Sequence, residues 1–478
     1  MMTNEIFLHF SRCAKAGFLF ANNLNLIDLN YQGQKFLAKE FHEVAFKIIK
    51  KYKKSADIEI IRNKEVKTSG GETAIADIIV KSGNSNSLIA LINSTTEPDW
   101  LQIQNLAYTF YVFGQAQIKF DSAFICFVSK EYVNGSELTY ELLRIKDYTK
   151  KVKNLQSRVQ SVINKSKEKI RNNVLPDNKM EYCCIKPSIC PFKKSCEKNA
   201  FPEESSILEL KDISFYRKLQ LYRAGITSYK IGLPMDFVLS GKNDKQVEYT
   251  LTNKIIFDKK EIKHWLNKQM AKKFVWFLDM ETDTPVMPIS NSKRPFAKYP
   301  FIYTLQYSDL ATKSKGSFQK IMPTALTALV LKDFIENFIT QVNLNLFAPI
   351  VVGNINKVKE ALRNASIVLP NSEKEINEVI KRLVDIKVLF TDQLYYNPKF
   401  KGSTYLKDII PIICPEISYS ELSIKSGLQA QYEYRKLISE KADVKEKVIT
   451  ELKAYSFMDV KSLSSTFQFL LKESGLNM

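Results

Sequence analysis

The most constraining feature of the sequence is a short apolar run that ends in two acidic residues. Five apolar residues, 274–278, lead into Asp279, and Glu281 follows two positions later. Because side chains alternate between the two faces of a β-strand, both carboxylates should lie on one face. Such a pair repels unless cations share it, so it suits a site in which paired Mg²⁺ ions clamp a phosphodiester. A strand end that meets solvent would give the same local pattern.

A second acidic element lies near the C-terminus. Tyr455 precedes Asp459 by four positions, in a segment whose apolar residues recur at helical spacing. This spacing places the phenol and the carboxylate on one helical face. The acid could complete a metal site there, and the hydroxyl could orient an attacking water. The alternative is a core tyrosine beside a surface aspartate.

Together, the two elements resemble the DEDDy exonuclease pattern, with D-x-E on a first strand and Y-x-x-x-D on a late helix. The resemblance implies an RNase H-like domain over residues 271–478 that performs 3′ to 5′ exonuclease chemistry. Asp279, Glu281 and Asp459 would then hold Mg²⁺ or Mn²⁺. Tyr455 would position the water.

The middle motif of that pattern departs from the family. There the family has an asparagine followed by an aromatic residue and an acid, after a strand. Here Asn354 follows the expected strand, but Lys357 and Val358 occupy the aromatic and acidic positions. Asp385 is a possible replacement ligand and Glu360 is another, although Asp385 is also typical of a structural strand end.

Several segments in conserved order extend the likeness over roughly half of the chain. They are 221–226, 277–282, 294–296, 300–306, 382–385, 396–403 and 419–427. With them the chain resembles a bacterial family known only as domain of unknown function 2779, whose members couple this nuclease-like domain to an upstream RecB-type domain.

In the segment 396–403, Lys399, Lys401 and Ser403 are candidate contacts for a nucleic-acid backbone. A structural turn is the alternative.

The first 200 residues alternate helical and strand-like patterns, which indicates an α/β fold. Strand-like stretches lie at 58–62, 74–81, 87–93 and 122–129, with helices expected at 100–113 and, as one basic amphipathic helix, at 148–173. This half resembles the restriction-endonuclease-like PD-(D/E)xK domain of RecB-type nucleases. Asp77 matches its first acid, but Ala90 and Ile92 replace the second acid and the lysine. We therefore predict that residues 1–204 form a domain that keeps this fold but no longer catalyses hydrolysis. A helical connector should follow at 205–270.

Five of the seven cysteines are candidates for one metal centre: Cys13, Cys183, Cys184, Cys190 and Cys196. Thiolates select iron–sulfur clusters or zinc. One cysteine near the N-terminus and three behind the core are the arrangement of iron–sulfur RecB-type nucleases. The resemblance therefore implies a 4Fe-4S cluster on Cys13, Cys184, Cys190 and Cys196, with Cys183 as the alternative to Cys184. Zinc is a second possibility, and unrelated buried thiols are a third.

Charge and composition favour a polyanionic partner. The chain carries 70 Lys and Arg against 51 Asp and Glu, a net charge of +19. Such an excess favours nucleic acid first and an anionic membrane second, although a lysine-rich composition also gives it. No long apolar run or signal peptide is present, so we expect a cytoplasmic protein without a membrane.

Three functions remain open from the sequence. The first is a metal-dependent exonuclease acting on DNA or RNA. The second is a non-catalytic protein with both nuclease cores degenerate, which binds nucleic acid or a protein. The third is a zinc-stabilised scaffold. The sequence does not identify protein partners.

Overall fold

The structure is a computed structural model of the chain. It describes residues 1–22, 29–52, 57–133, 139–234, 237, 239, 241–290, 294–439 and 442–476. The chain divides into two compact units, Met1–Ala200 and Phe201–Met478. Each unit contains a five-stranded mixed sheet with helices, so the protein is α/β. None of the described helices is both long and apolar enough to cross a membrane.

The first unit is built on a sheet with strand order β1-β2-β3-β4-β5. Strands β3 and β4 are parallel, and the other neighbours are antiparallel. The strands are β1 Ile58–Lys67, β2 Thr73–Ser82, β3 Ser85–Ile92, β4 Ser122–Val128 and β5 Leu143–Asp147. The helices are α1 Asn4–Arg12, α2 Ala14–Asn22, α3 Leu29–Tyr52, α4 Trp100–Gln115, α5 Thr149–Asn154, α6 Gln156–Asn172 and α7 Lys193–Ala200.

The expected strands at 58–62, 74–81, 87–93 and 122–129 and the helix at 100–113 are confirmed. The expected single helix at 148–173 is wrong, because it breaks at Leu155 into α5 and α6. The Gln156 side chain donates to the carbonyl oxygen of Val152 at 2.8 Å, which satisfies an acceptor near the end of α5. Val152 and Val159, on either side of the break, are both fully buried. Core packing therefore holds both segments in place.

The second unit contains a sheet with strand order β11-β10-β7-β8-β9 and a two-stranded sheet of β6 and β12. Strand β7 is antiparallel to β8, which is antiparallel to β9, whereas β7, β10 and β11 run parallel. The strands are β6 Ile256–Phe257, β7 Phe274–Asp283, β8 Tyr299–Asp309, β9 Lys315–Ile321, β10 Ile350–Val352, β11 Leu383–Asp385 and β12 Tyr395–Tyr396.

Ten helices of the second unit are described. They are α8 Phe215–Arg223, α9 Gly241–Leu251, α10 Lys259–Met270, α11 Ala328–Val342, α12 Ile355–Val368, α13 Glu373–Lys381, α14 Val388–Thr391, α15 Leu406–Ile413, α16 Gly427–Ser439 and α17 Ala442–Glu473.

Strand β7 separates two apolar cores. Trp276, Leu278 and Met280 pack into one core, and Val275 and Phe277 pack into the other. This division follows from the period of two in a strand, which sends alternate residues to opposite faces. Because both faces are covered by apolar residues, the run is apolar throughout, as in strands buried on both sides.

Residues expected to form a connector pack within the second unit. Ile262 and Leu266 of α10 are fully buried in the core that contains Phe277. Strand β6 pairs with β12, so this segment also contributes to a sheet. Burial of these two aliphatic side chains contributes roughly 3–6 kcal/mol to the free energy of unfolding.

A close backbone contact fixes the turn at 398–403. Gly402 has φ +74°, and a Cβ at that position would lie 2.1 Å from the carbonyl oxygen of Glu209. Only a residue without a side chain fits this approach. The Lys401 ammonium donates to the carbonyl oxygen of Glu203 at 2.7 Å. The turn is therefore tied to residues that lie almost 200 positions earlier in the sequence.

Gly402→Ala should destabilise the protein more than Gly225→Ala. Both glycines have positive φ, but a Cβ at position 225 would meet nothing within 4 Å. We expect a loss of about 1 kcal/mol for Gly225→Ala from backbone strain alone. Gly402→Ala should lose roughly 1–3 kcal/mol more because of the steric overlap. Urea unfolding followed by circular dichroism measures both values, and equal losses would contradict the close contact.

Candidate metal centre

Three carboxylates converge in the second unit. Asp279 and Glu281 lie on β7, and Asp459 lies on α17. One oxygen from each of them lies within 4.8 Å of the others, and the described residues contain no second such group of His, Cys, Asp or Glu. These three residues are called the acidic group below. The expected placement of the D-x-E pair on a strand and of Tyr455 and Asp459 on a helix is confirmed.

Helix α17 is fastened to the sheet by buried hydroxyl groups. Ser456 donates to Oδ2 of Asp279 at 3.2 Å, and its oxygen is 2.8 Å from Oγ1 of Thr304 on β8. Thr304 lies directly opposite Asp279 in the β7–β8 ladder. Tyr455 and Leu452 are buried in the adjacent apolar core. Packing and hydrogen bonding together bring Asp459 beside β7.

The acidic group lines a cavity of about 450 Å³, which is called the acidic cavity below. Its walls also include residues 352–354, Tyr405, Lys407 and Tyr419. Gly427 is part of the lining, and a Cβ there would lie 2.8 Å from Oε2 of Glu281. Glycine at this position thus leaves room for the Glu281 carboxylate, which is only 4% exposed.

Two lysines neutralise part of the acidic charge. The Lys357 ammonium lies 2.7 Å from Oε2 of Glu281. The Lys407 ammonium lies 3.3 Å from Oδ1 of Asp459 and donates to the Tyr455 hydroxyl oxygen at 2.5 Å. Lys357 is the residue that occupies the aromatic position of the expected middle motif. Lys407 was not identified from the sequence, because nothing near it distinguishes it from other lysines.

Burial and neighbouring carboxylates change the pKa of Asp279. Burial, followed by the Glu281 and Asp459 carboxylates, raises the pKa of Asp279 to about 8, although Lys357 and Lys407 act in the opposite direction. Burial alone would lower the pKa of Lys357, but the Glu281 and Asp279 carboxylates outweigh it and raise that pKa. At neutral pH, Lys357 is therefore an ammonium ion, and Asp279 retains a proton unless another cation arrives.

Two tyrosines contact the acidic group. Burial and then the neighbouring carboxylates raise the pKa of Tyr455 far above its ordinary value. The pKa of Tyr419 is raised by burial and by Asp459, to which its hydroxyl donates at 2.7 Å. Both phenols consequently stay protonated and act as hydrogen-bond donors or acceptors, not as bases. The sequence pointed to Tyr455 through its helical spacing with Asp459, whereas Tyr419 entered only as part of a matching segment.

The remaining candidates from the sequence lie outside the acidic group. Asp385 does not join it, because its carboxylate accepts from the backbone N–H groups of Lys387 at 2.9 Å and Ile355 at 3.3 Å. Glu360 pairs with Lys298 at 2.8 Å. Both acids are thus engaged in local structure.

The 399–403 turn contributes no lining residue to the acidic cavity. The Lys401 ammonium bonds to Glu203, as described above. The Ser403 hydroxyl donates to Asp408 at 2.5 Å, and the Lys399 backbone N–H donates to Asn397 at 3.0 Å. These contacts support the structural-turn alternative for Lys401 and Ser403.

The first unit has its own cavity, of about 440 Å³, around Asp77. Ala90, Ile92 and His42 also line it, and Nδ1 of His42 lies 3.9 Å from Oδ1 of Asp77. Burial raises the pKa of Asp77, although His42, the Leu91 backbone N–H and Arg62 favour its ionised form. Alanine and isoleucine occupy the positions where the resemblance places a second acid and a lysine, and Asp77 is the only carboxylate among the described residues that line this cavity. His42 was not identified from the sequence.

The cysteines of the first unit influence one another. Burial raises the pKa of Cys196 to about 11, and Cys184, Cys190 and Cys13 contribute in the same direction. Hydrogen bonds from Cys183 and from the backbone N–H of Glu181 lower the pKa of Cys184. No three of the described cysteines bring their sulfurs within 4.8 Å of one another. Cys183 and Cys184 share a hydrogen bond, and Cys13, Cys184 and Cys190 lie near Cys196.

A family of unknown function and a solved structure are similar to parts of this chain. The family described as domain of unknown function (DUF2779) matches residues 276–405. This stretch contains Asp279, Glu281 and Lys357 but ends before Asp459. A structure titled "Crystal structure of SSO0001" is similar over 40% of this chain and 84% of its own, with 13% identity and a TM-score of 0.24. That similarity is too low to inform fold or function. No curated protein matches the chain.

Replacing Asp279 should stabilise the metal-free protein in a pH-dependent way. A carboxyl whose folded-state pKa is about 8, against about 3.9 when unfolded, makes folding less favourable as pH rises between these values. Asp279→Asn removes this penalty and can still accept from Ser456. We expect its melting temperature to exceed that of the wild type by more at pH 8 than at pH 5 when a chelator is present.

Asp385→Asn is the matched control, because that carboxylate accepts backbone hydrogen bonds. It should not raise the melting temperature at either pH. Adding Mn²⁺ should reduce the advantage of Asp279→Asn, since only the wild type gains from ion binding. An equal gain at pH 5 and pH 8 would show that the pKa of Asp279 is not raised.

Proposed function

We propose that the second unit is a metal-dependent nuclease with 3′ to 5′ exonuclease chemistry, and that the acidic group is its catalytic centre. The observation that carries this proposal is the convergence of three carboxylates within 4.8 Å in an open cavity, beside a protonated tyrosine. Three buried carboxylates that face only two ammonium groups are costly unless they also bind a cation. Phosphodiester hydrolysis is the chemistry that such oxygen-ligand centres commonly support.

The sheet supports an RNase H-like fold for this unit. Its first long strand, β7, has two antiparallel neighbours on one side and two parallel strands on the other. The D-x-E pair lies on that strand, and Tyr455 and Asp459 lie on a late helix packed against it. This arrangement of elements agrees with the DEDDy resemblance and with the order in which its motifs occur.

The donor set fits Mg²⁺ or Mn²⁺. Carboxylate oxygens are the preferred ligands of these hard cations. Burial first, and then repulsion from Glu281 and Asp459, raise the pKa of Asp279, and a bound cation would favour its ionised form instead. When bound, such an ion polarises a phosphoryl oxygen and lowers the pKa of a coordinated water.

The side chains have distinct roles in this proposal. Asp279, Glu281 and Asp459 bind the ion, and Ser456 holds the Asp279 carboxylate through its 3.2 Å hydrogen bond. Tyr455 orients the attacking water through its hydroxyl, because a phenol with so high a pKa does not remove a proton. Tyr419 holds Asp459 in position.

The rim of the acidic cavity suits a nucleic-acid strand. Tyr405 lines the cavity and is 66% exposed. The Lys387 ammonium lies 4.4 Å from the centre of its ring. An exposed aromatic ring beside a cation resembles the stacking platforms of proteins that bind single strands. The net charge of +19 favours the same polyanionic substrate, DNA or RNA.

For the first unit we propose an inactive PD-(D/E)xK fold stabilised by a 4Fe-4S cluster. Cys13, Cys184, Cys190 and Cys196 would be the ligands, with zinc as the alternative metal. Cys183 is the alternative to Cys184, because the two thiols share a hydrogen bond and only its donor keeps the proton. Anaerobically purified protein should be brown and absorb visible light if a cluster is present, and colourless with one equivalent of zinc if not.

A non-catalytic nucleic-acid-binding protein is the second candidate function. The observation that favours it is the ion pair between Lys357 and Glu281, which ties up a carboxylate of the acidic group. Under this alternative, the cavity would bind a strand without hydrolysing it. Activity measurements separate the two candidates directly.

The nuclease proposal predicts that Asp279→Asn abolishes nucleotide release. Labelled single- and double-stranded DNA and RNA would be incubated with Mn²⁺, and released mononucleotides would be counted. We expect a rate loss on the order of 100-fold or more, because a metal ligand is removed. Asp77→Asn, which changes the isolated acid of the first unit, should leave the rate unchanged.

Three outcomes would contradict this assignment. Equal rates for wild type and Asp279→Asn would exclude the acidic group as the catalytic centre. Loss of activity in Asp77→Asn, with activity retained in Asp279→Asn, would assign hydrolysis to the first unit. Absence of release by the wild type on every substrate, with binding retained, would favour the non-catalytic candidate.

Tyr405 should contribute to binding of single strands. Tyr405→Ala is expected to weaken binding of a short fluorescent oligonucleotide by about 1–3 kcal/mol, the usual value of base stacking on an aromatic ring. Tyr405→Phe should bind like the wild type, since the ring is retained. Tyr216→Ala is the control, because Tyr216 is 54% exposed but does not line the acidic cavity. Equal affinity of the alanine and phenylalanine variants at position 405 would argue against stacking.

A further inference from the structure

Lys357 enters the acidic group from the start of a helix. It lies in the first turn of α12, directly after β10, and its backbone N–H donates to the side chain of Asn354, which caps the helix. The ammonium contacts Oε2 of Glu281 at 2.7 Å, and the side chain is only 28% exposed. Strand β10 and the capped start of α12 therefore fix the position of the Lys357 ammonium group.

The two lysines of the group have different surroundings. Lys407 contacts both Tyr455 and Asp459, so it helps to hold the elements that orient water. Within the described part of the chain, Lys357 forms an ion pair only with Glu281. An ammonium group has three N–H donors, so Lys357 can turn toward a second anion beside Glu281. A phosphate held in the acidic cavity would supply that anion.

The charge of the group limits how many cations it accepts. Three carboxylates face two ammonium groups, which leaves little negative charge for two divalent ions. A second dication near Lys357 would also be repelled by a fixed positive charge at short range in a partly buried site. One divalent ion beside Asp279, Glu281 and Asp459, together with the Lys357 ammonium, balances the negative charge better than two divalent ions would.

We propose that Lys357 supplies the positive charge that a second divalent ion supplies in two-metal phosphodiester sites, and that the acidic group binds a single Mg²⁺ or Mn²⁺. Lys357 would be a catalytic residue that contacts a non-bridging oxygen of the scissile phosphate. This inference rests on the proposed function, because it assumes hydrolysis at the acidic group.

The reaction balances without any proton transfer by Lys357. Water oxygen bonds to phosphorus, the bond from phosphorus to the 3′ oxygen of the preceding nucleotide breaks, and the proton lost by water ends on that oxygen or in solvent. Lys357 stays protonated throughout, and its ammonium group remains within reach of the Glu281 carboxylate at 2.7 Å. Its contribution is electrostatic and greatest when negative charge builds up on the phosphate.

The experiment counts bound Mn²⁺ by electron paramagnetic resonance in the full-length wild type and in Lys357→Asp, Lys357→Met and Lys357→Arg. Ions that disappear in Asp279→Asn are assigned to the acidic group, which removes any background from the first unit. We expect one ion in the wild type and two spin-coupled ions, about 4 Å apart, in Lys357→Asp.

The matched variants separate charge from structure. Lys357→Met removes the charge at similar length and should keep one ion while nucleotide release falls by about 100-fold or more. Lys357→Arg keeps the charge and should retain part of the activity. Circular dichroism of each variant confirms folding, and if Lys357→Asp does not fold, the ion counts of the wild type and Lys357→Met still test the proposal.

Each result bears on one of the two proposals. Two ions in the wild type, or one in a folded Lys357→Asp, would overturn the role of Lys357 while leaving the metal-dependent nuclease intact. No ion in the wild type acidic group would instead overturn the proposed function itself. Normal activity in Lys357→Met would also exclude Lys357 as a catalytic residue.

Discussion

The repulsion among Asp279, Glu281 and Asp459 is the constraint around which the second unit is arranged. Three carboxylates in a partly buried space are unfavourable, and their repulsion adds to the effect of burial in raising the pKa of Asp279. The surrounding residues reduce this cost by different means. Ammonium groups approach from α12 and from the start of α15, a serine donates from α17, and a glycine leaves room for the Glu281 side chain.

This arrangement requires a rigid scaffold. Strand β7 is buried on both faces between two apolar cores, and α17, with 32 residues, is the longest helix described. Trp276 and Phe277 anchor opposite faces of the strand only a few residues before the acids. Because packing on either side resists movement of β7, the carboxylates cannot simply separate. An electrostatic cost at the centre is thus offset by apolar burial around it, as is common where function requires an unfavourable local arrangement.

The two units illustrate opposite outcomes for an acidic cavity. Around Asp77 the neighbouring wall positions are Ala90 and Ile92, and the described lining of this cavity of similar volume includes one carboxylate. Around Asp279, three carboxylates converge, and Lys357 forms an ion pair with one of them. The first cavity thus offers few oxygen ligands, whereas in the second cavity the lysine reduces the net negative charge.

Local periodicity allowed much of the second unit to be anticipated. The alternation of a strand placed Asp279 and Glu281 on one face, and the helical repeat placed Tyr455 and Asp459 together, because both relations depend only on neighbours in the chain. The sequence did not determine that Lys407, Tyr419 and Gly427 would meet these acids, or that Asp385 would instead accept hydrogen bonds from the backbone N–H groups of Ile355 and Lys387. Those contacts join loops and helices distant in sequence, and they are set by the order of strands in the sheet and the packing of α17. The chain thus specified which acids could act together, and only tertiary structure decided which cations and hydroxyl groups surround them.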